Sequence, residues 1–187
     1  MHKILIINSA EPGTTKFTQP LENIVKDTGL TTKTIEYKQA KNINFDAYDG
    51  VIISGSPQGD DIVEHHKPYF EWIKSFEKPV FGICAGHHVT GSIYGSELLR
   101  SEEPESGDFP VEIINDDPIF NGLSKTFKVR QMHNDSVTVP NNFVLLATAK
   151  TCNNQIMKHK QKPLYTSQFH PEFYNHNLIK NFILLSK

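Results

Sequence analysis

Residues 79–88 read Pro79-Val80-Phe81-Gly82-Ile83-Cys84-Ala85-Gly86-His87-His88, an apolar run of strand length that meets a cysteine set between two glycines. The G-x-C-x-G spacing is that of a nucleophile elbow, in which a strand turns sharply into a helix and leaves the middle side chain at the apex. The apex residue takes a strained backbone conformation, and neighbours without a Cβ let strand and helix close around it. A cysteine after an apolar strand is by itself an ordinary small core residue. The two glycines make Cys84 a candidate nucleophile instead. A thiol is mostly protonated at neutral pH, so the N-terminus of the following helix or a nearby imidazolium is needed to hold the thiolate.

Working outward from this turn, residues 3–8, 32–37 and 50–54 are short, rich in β-branched side chains and bounded by turn formers, as strands are. Residues 18–28 carry Leu21, Ile24 and Val25 at helical spacing and end at Gly29, and residues 65–76 present Tyr69, Phe70, Trp72, Ile73 and Phe76 on one broad face. With the strand at 79–83 the order is β-α-β-β-α-β. Parallel strands need crossovers, so this order predicts an α/β fold with a mainly parallel central sheet and helices on both faces. Beyond Arg100 the character changes. Residues 101–108 form an acidic, polar stretch expected to be a loop; 111–114, 127–131, 143–149 and 164–169 are further expected strands, and 175–185 a closing helix. No internal repeat or linker divides the chain, which predicts one domain over residues 1–187.

Composition narrows the function. A formal charge of −2 provides no broad basic field, which argues against nucleic acid as a partner. No run approaches eighteen apolar residues, and the apolar start meets Ser9 and Glu11 at once, so neither a membrane span nor a signal peptide is expected. The two cysteines, Cys84 and Cys152, are far apart and lack CxxC spacing, which speaks against a disulfide framework or a zinc ribbon and fits a reducing cytoplasm. Nine histidines raise the question of a metal. The adjacent pairs His65-His66 and His87-His88 point about 100° apart on a helix, and no HExxH occurs, so neither metal nor cofactor is expected.

The second informative stretch is Ser167-Gln168-Phe169-His170-Pro171-Glu172. Residues two apart on an extended segment face the same side, and Pro171 keeps His170 out of the helical region. A carboxylate at Glu172 would fix the tautomer of His170 and leave its other nitrogen to take the thiol proton. Such a tripeptide is weak alone. Behind a cysteine elbow it supplies base and orienter in a chain order that a parallel sheet can bring together at its C-terminal edge.

Gly82-Ile-Cys-Ala-Gly-His-His and Gln168-Phe-His-Pro-Glu resemble the two signature segments of triad-type class I glutamine amidotransferases. The resemblance spans nearly the whole chain. It extends to Met132-His-Asn-Asp-Ser-Val, Thr151-Cys and Met157-Lys-His-Lys, and is most similar to the separate glutaminase subunits of GMP synthase in archaea. It implies a flavodoxin-like sheet with a smaller antiparallel addition in the C-terminal half. It also implies hydrolysis of glutamine, or another γ-glutamyl substrate, and transfer of ammonia to an ATP-pyrophosphatase synthetase subunit. Ser54-Gly55-Ser56-Pro57 matches the family's oxyanion loop, which implies that the backbone N–H groups of Ser56 and Ala85 hold the oxyanion. By the same resemblance Gly55, His88, His133, Asn134 and Asp135 border the substrate.

The chain departs from the family in three places. His88 stands where most members have a substrate-recognising Gln, Ser56 where the GMP synthase branch usually has Gly, and residues 8–15 lack its Asp-x-Gly-Gly-Gln type of sequence. One scaffold serves several synthetases and also stand-alone γ-glutamyl hydrolases and peptidases, so the hydrolase remains the alternative. A non-catalytic binding module is a third reading, against which the elbow cysteine argues.

Overall fold

The computed structural model describes residues 2–58, 62–100 and 104–186. Its first half follows the expected order, with β1 (Lys3–Asn8), α1 (Thr18–Asp27), β2 (Thr31–Glu36), β3 (Gly50–Ile53), α2 (Val63–Phe70), β4 (Val80–Ile83) and α3 (Ala85–Ile93). The second half holds β5 (Leu98–Leu99), β6 (Glu105–Ile113), β7 (Thr126–His133), β8 (Ser136–Val137), β9 (Phe143–Thr148), β10 (Ile156–His159), β11 (Leu164–Ser167) and α4 (His176–Leu185).

Nine of these strands form one sheet in the order β2-β1-β3-β4-β11-β10-β9-β6-β7. The pairings from β2 to β11 are parallel and those from β11 to β7 antiparallel. The antiparallel addition therefore continues the same sheet. The central strands alternate between two cores. Ile4, Ile6, Ile52 and Phe81 pack with Leu21 and Val25 of α1 and with Ile179 and Phe182 of α4, whereas Leu5, Ile7, Val51 and Ile53 pack with Phe70 of α2 and Val89 of α3. Burying one such side chain fully is worth about 1.5–3 kcal/mol, and burial on both faces is why β1, β3 and β4 read as unbroken apolar runs.

Three expectations need correction. Residues 105–108 are not loop: they begin β6, whose partner β7 pairs Glu105 with His133 and Asp108 with Arg130. The polar side chains hid the strand because they alternate outward on an exposed hairpin, and Pro110 is tolerated where only β7 borders it. Residues 101–103 of that expected loop lie outside the described residues. The helix expected at 65–76 is also interrupted. It runs as α2 to Phe70 and continues as a 3₁₀ turn over Glu71–Lys74, after Pro68 removes one N–H from the helical ladder. The strands β5, β8 and β10 add to those expected; two are only two residues long, and β10 carries Lys158 at its centre, so none has a clear apolar signal. Among the described residues no helix is long and apolar enough to cross a membrane.

Candidate active site

Cys84 lies between the end of β4 and the start of α3, with φ 49° and ψ −100°. Among the described residues it is the sole non-glycine at positive φ, a strain of about 1–3 kcal/mol. The flanking glycines permit the turn. A Cβ on Gly82 would fall 2.7 Å from the Gly86 carbonyl oxygen, and one on Gly86 would fall 2.8 Å from the Ile53 carbonyl oxygen. Backbone cannot give way there as a flexible side chain could. The Cys84 amide donates to the Ser167 carbonyl at 2.8 Å, tying the elbow to the end of β11. The first turn of α3 thus directs its unpaired N–H groups toward the cysteine.

Two residues beyond β11, His170 is held on three sides. Its backbone amide donates to the Arg130 carbonyl at 2.9 Å, its Nδ1–H donates to Glu172 Oε1 at 2.8 Å, and its ring stacks on Phe17 at 4.9 Å. Both members of the His170–Glu172 pair are fully buried. Burial by itself would push the His170 pKa down. The charge of Glu172, with charge and hydrogen bonding from Cys84, outweighs this and raises it to about 10. Nδ1 is committed to Glu172, so Nε2 is the nitrogen that faces the thiol. The arrangement favours an imidazolium beside a thiolate, with the proton already on His170, rather than a neutral base awaiting a thiol proton.

Gly55 sits against this pair. A Cβ there would lie 2.6 Å from His170 Cε1 and 3.6 Å from Cys84 Cβ. Ser56, Cys84 and Ala85 line a cavity of about 490 Å³, whose opposite wall carries Met132, His133, Asn134 and Asp135. Ser56 Oγ accepts from the Gln58 amide at 3.3 Å, and the Gln58 side chain donates to Glu11 at 2.8 Å. These contacts pin the loop after β3 to the loop after β1.

The cavity holds charges of both signs, with Lys16 and Arg100 alongside Glu105 and Asp135. Arg100 pairs with Asp135 at 3.0 Å. His133 donates from Nδ1 to the Asp135 carbonyl at 2.8 Å, and its Nε2 lies 2.7 Å from Glu105 Oε2. Burial would raise the Glu105 pKa, but hydrogen bonds from His133 and Thr151 hold it below its ordinary value.

His88 is placed elsewhere. It is buried, its Nε2 donates to Gln168 Oε1 at 2.6 Å, and it borders a separate cavity of about 140 Å³ rather than the one at Cys84. Burial lowers its pKa to about 4 and that of His87 to about 3, so both are neutral; His87 bonds the Thr166 hydroxyl at 2.7 Å inside the core. Sequence reasoning missed Phe17, Lys16 and Glu105. Phe17 is the residue before α1 and Glu105 opens a strand that reads as loop, and nothing local in the sequence marks either as a neighbour of Cys84.

The family description "Glutamine amidotransferase class-I" matches residues 14–184. The glutamine-hydrolyzing subunit of GMP synthase from Methanothermobacter thermautotrophicus is 35% identical over 139 residues, covering 72% of this chain and 73% of its own. The Thermoplasma acidophilum protein of the same name is 29% identical over 189 residues, covering 98% of this chain and 92% of its own. A crystal structure of a GMP synthase subunit of this type, from Thermoplasma acidophilum, superposes with TM-score 0.89 at 27% identity, covering 100% of this chain and 94% of that one. A glutamine amidotransferase structure from Thermotoga maritima, at 20% identity and TM-score 0.78 over 98% of this chain and 81% of that one, shares the fold. With a family match running almost end to end and a strand-to-helix cysteine turn on a mostly parallel sheet, this chain belongs to the class I glutamine amidotransferases.

Proposed function

We propose that residues 1–187 act as one glutaminase domain in which Cys84 is the nucleophile, His170 the acid and base, and Glu172 the residue that orients it, and that its ammonia goes to a GMP synthase-type ATP-pyrophosphatase subunit in the cytoplasm. The observation that carries this reading is the buried His170–Glu172 pair set against Cys84 at the strained N-terminus of α3. The Cys84 thiolate attacks the side-chain amide carbon of glutamine. The resulting oxyanion points at the N–H groups of Ser56 and Ala85, where losing one donor typically costs about 100–1,000-fold in rate. His170 gives its proton to the departing nitrogen, the C–N bond breaks, and ammonia leaves a thioester. Water then attacks with His170 taking its proton, and glutamate departs as the thiolate is restored.

The mixed charges of Lys16, Arg100, Glu105 and Asp135 around the cavity suit the ammonium and carboxylate of an amino acid better than a long peptide. The synthetase acceptor is supported by the names of the relatives. Ser56 brings a Cβ into the oxyanion loop, and a partner that reshapes the loop would set the rate, so the isolated chain is expected to turn over slowly. Glutamate release from glutamine and from γ-glutamyl dipeptides, by the isolated chain and with synthetase and nucleotide added, tests this. Slow glutamine hydrolysis that rises with the synthetase is the expected result. Fast turnover of a dipeptide by the chain alone would transfer it to the γ-glutamyl hydrolases.

A further inference from the structure

We infer that Glu105, His133 and Cys152 form a binding site for a borderline divalent cation, zinc above all, on the wall of the Cys84 cavity. One ligand atom from each residue lies within 4.8 Å of the others. The set joins a carboxylate oxygen, an imidazole nitrogen and a sulfur, a combination that suits zinc and disfavours magnesium or calcium. All three side chains are buried, and Glu105 and His133 also line the cavity, which supplies an entry path and a fourth, open position.

The surrounding hydrogen bonds are those a metal site requires. His133 Nδ1–H donates to the Asp135 carbonyl at 2.8 Å, which leaves Nε2 as the ligand nitrogen. Glu105 is fixed by the Thr151 hydroxyl and, at 3.2 Å, by the Gln155 amide, which in turn accepts from Gln131. Nε2 and Glu105 Oε2, 2.7 Å apart, share one proton. Zinc replaces that proton and the thiol proton of Cys152, which is otherwise directed at the Asn154 carbonyl. The tetrahedron closes by small side-chain rotations, because the donors already share one buried volume. The site stands apart from the catalytic roles given above, and a failure of those roles would leave it intact.

The test uses the full chain carrying Cys84→Ala, which removes the other possible thiolate ligand and leaves Cys152 as the only thiol. Titration with Co²⁺ is expected to give one equivalent bound, a thiolate-to-cobalt charge-transfer band and the strong visible bands of four-coordination, all displaced by one equivalent of Zn²⁺. Adding Cys152→Ser should abolish the charge-transfer band. Adding Glu105→Gln, which keeps the shape of the side chain, should weaken cobalt binding by at least about tenfold, with circular dichroism unchanged in both variants. No thiolate band in the Cys84→Ala chain, or a band and affinity unaltered by Glu105→Gln, would overturn the site.

Discussion

His170 Nδ1 stands 2.8 Å from Glu172 Oε1 across a single proline, with both side chains out of reach of water. Two residues that are neighbours in sequence would ordinarily be screened from each other by solvent. Here burial leaves the carboxylate acting on the imidazole at nearly full strength, and the histidine holds a proton it would otherwise lose.

That proton makes stability depend on pH in a defined direction. The folded-state pKa of His170 is about 10, against about 6.5 for an exposed histidine. A group raised on folding contributes stability that is complete below about pH 6.5 and is lost as the pH rises toward 10. In Glu172→Gln the carboxylate charge is gone and burial pushes the pKa the other way. Thermal unfolding from pH 7 to pH 10 should therefore lower the Tm of the wild type more steeply than that of Glu172→Gln. Parallel curves would show that Glu172 does not hold the proton.

A glutamine-analogue electrophile should modify Cys84 and leave Cys152 unlabelled. Only Cys84 of the two lines the 490 Å³ cavity. Mass spectrometry of peptides after a single-equivalent treatment reads the outcome, and a Cys152 adduct would remove Cys84 from its role. In the same assay His170→Ala should slow glutamine turnover by about 100 to 10,000-fold.

Gly55→Ala is expected to remove activity at little cost to folding. The added methyl would press on His170 Cε1 at 2.6 Å, and the ring cannot retreat while Phe17 and Glu172 hold it. A displacement of about 1 Å at a reacting group costs on the order of 100-fold in rate. Measuring kcat beside the Tm separates the two effects, and a variant with wild-type kcat would mean that the close approach is not needed.

His88→Gln, which restores the usual family side chain, is expected to leave the KM for glutamine within about twofold, since the side chain faces Gln168 and a different cavity; one hydrogen bond gained at the substrate would be worth about 0.5–1.5 kcal/mol, or several-fold in KM. A KM several-fold lower in the variant would bring position 88 back to the substrate.

How far the sequence could be read depended on the range over which each signal acts. β1, β3 and β4 were legible because strands buried on both faces are continuous apolar runs, and Cys84, His170 and Glu172 because elbow and strand-end geometry impose short spacings. The start of β6 was not, since a strand on an exposed hairpin needs few apolar residues. Phe17 reaches His170, and Cys152 reaches Glu105 and His133, only through the folded topology. The departure at His88 was visible, but its meaning was not, because the direction of a helical side chain next to a tight turn depends on what packs behind it.

The hydrogen bond from the Cys84 amide to the Ser167 carbonyl joins two strands at the middle of the sheet, covered on both sides by helices. Amide protons in such a place exchange with solvent only when the whole molecule opens, whereas loops and edges exchange through local fluctuations. The reactive residues are therefore fastened to the slowest-exchanging layer. Heat should not produce a long-lived form that keeps its shape but has lost its chemistry: the inactivation midpoint should coincide with the unfolding midpoint, and deuterium should reach the Cys84 amide last.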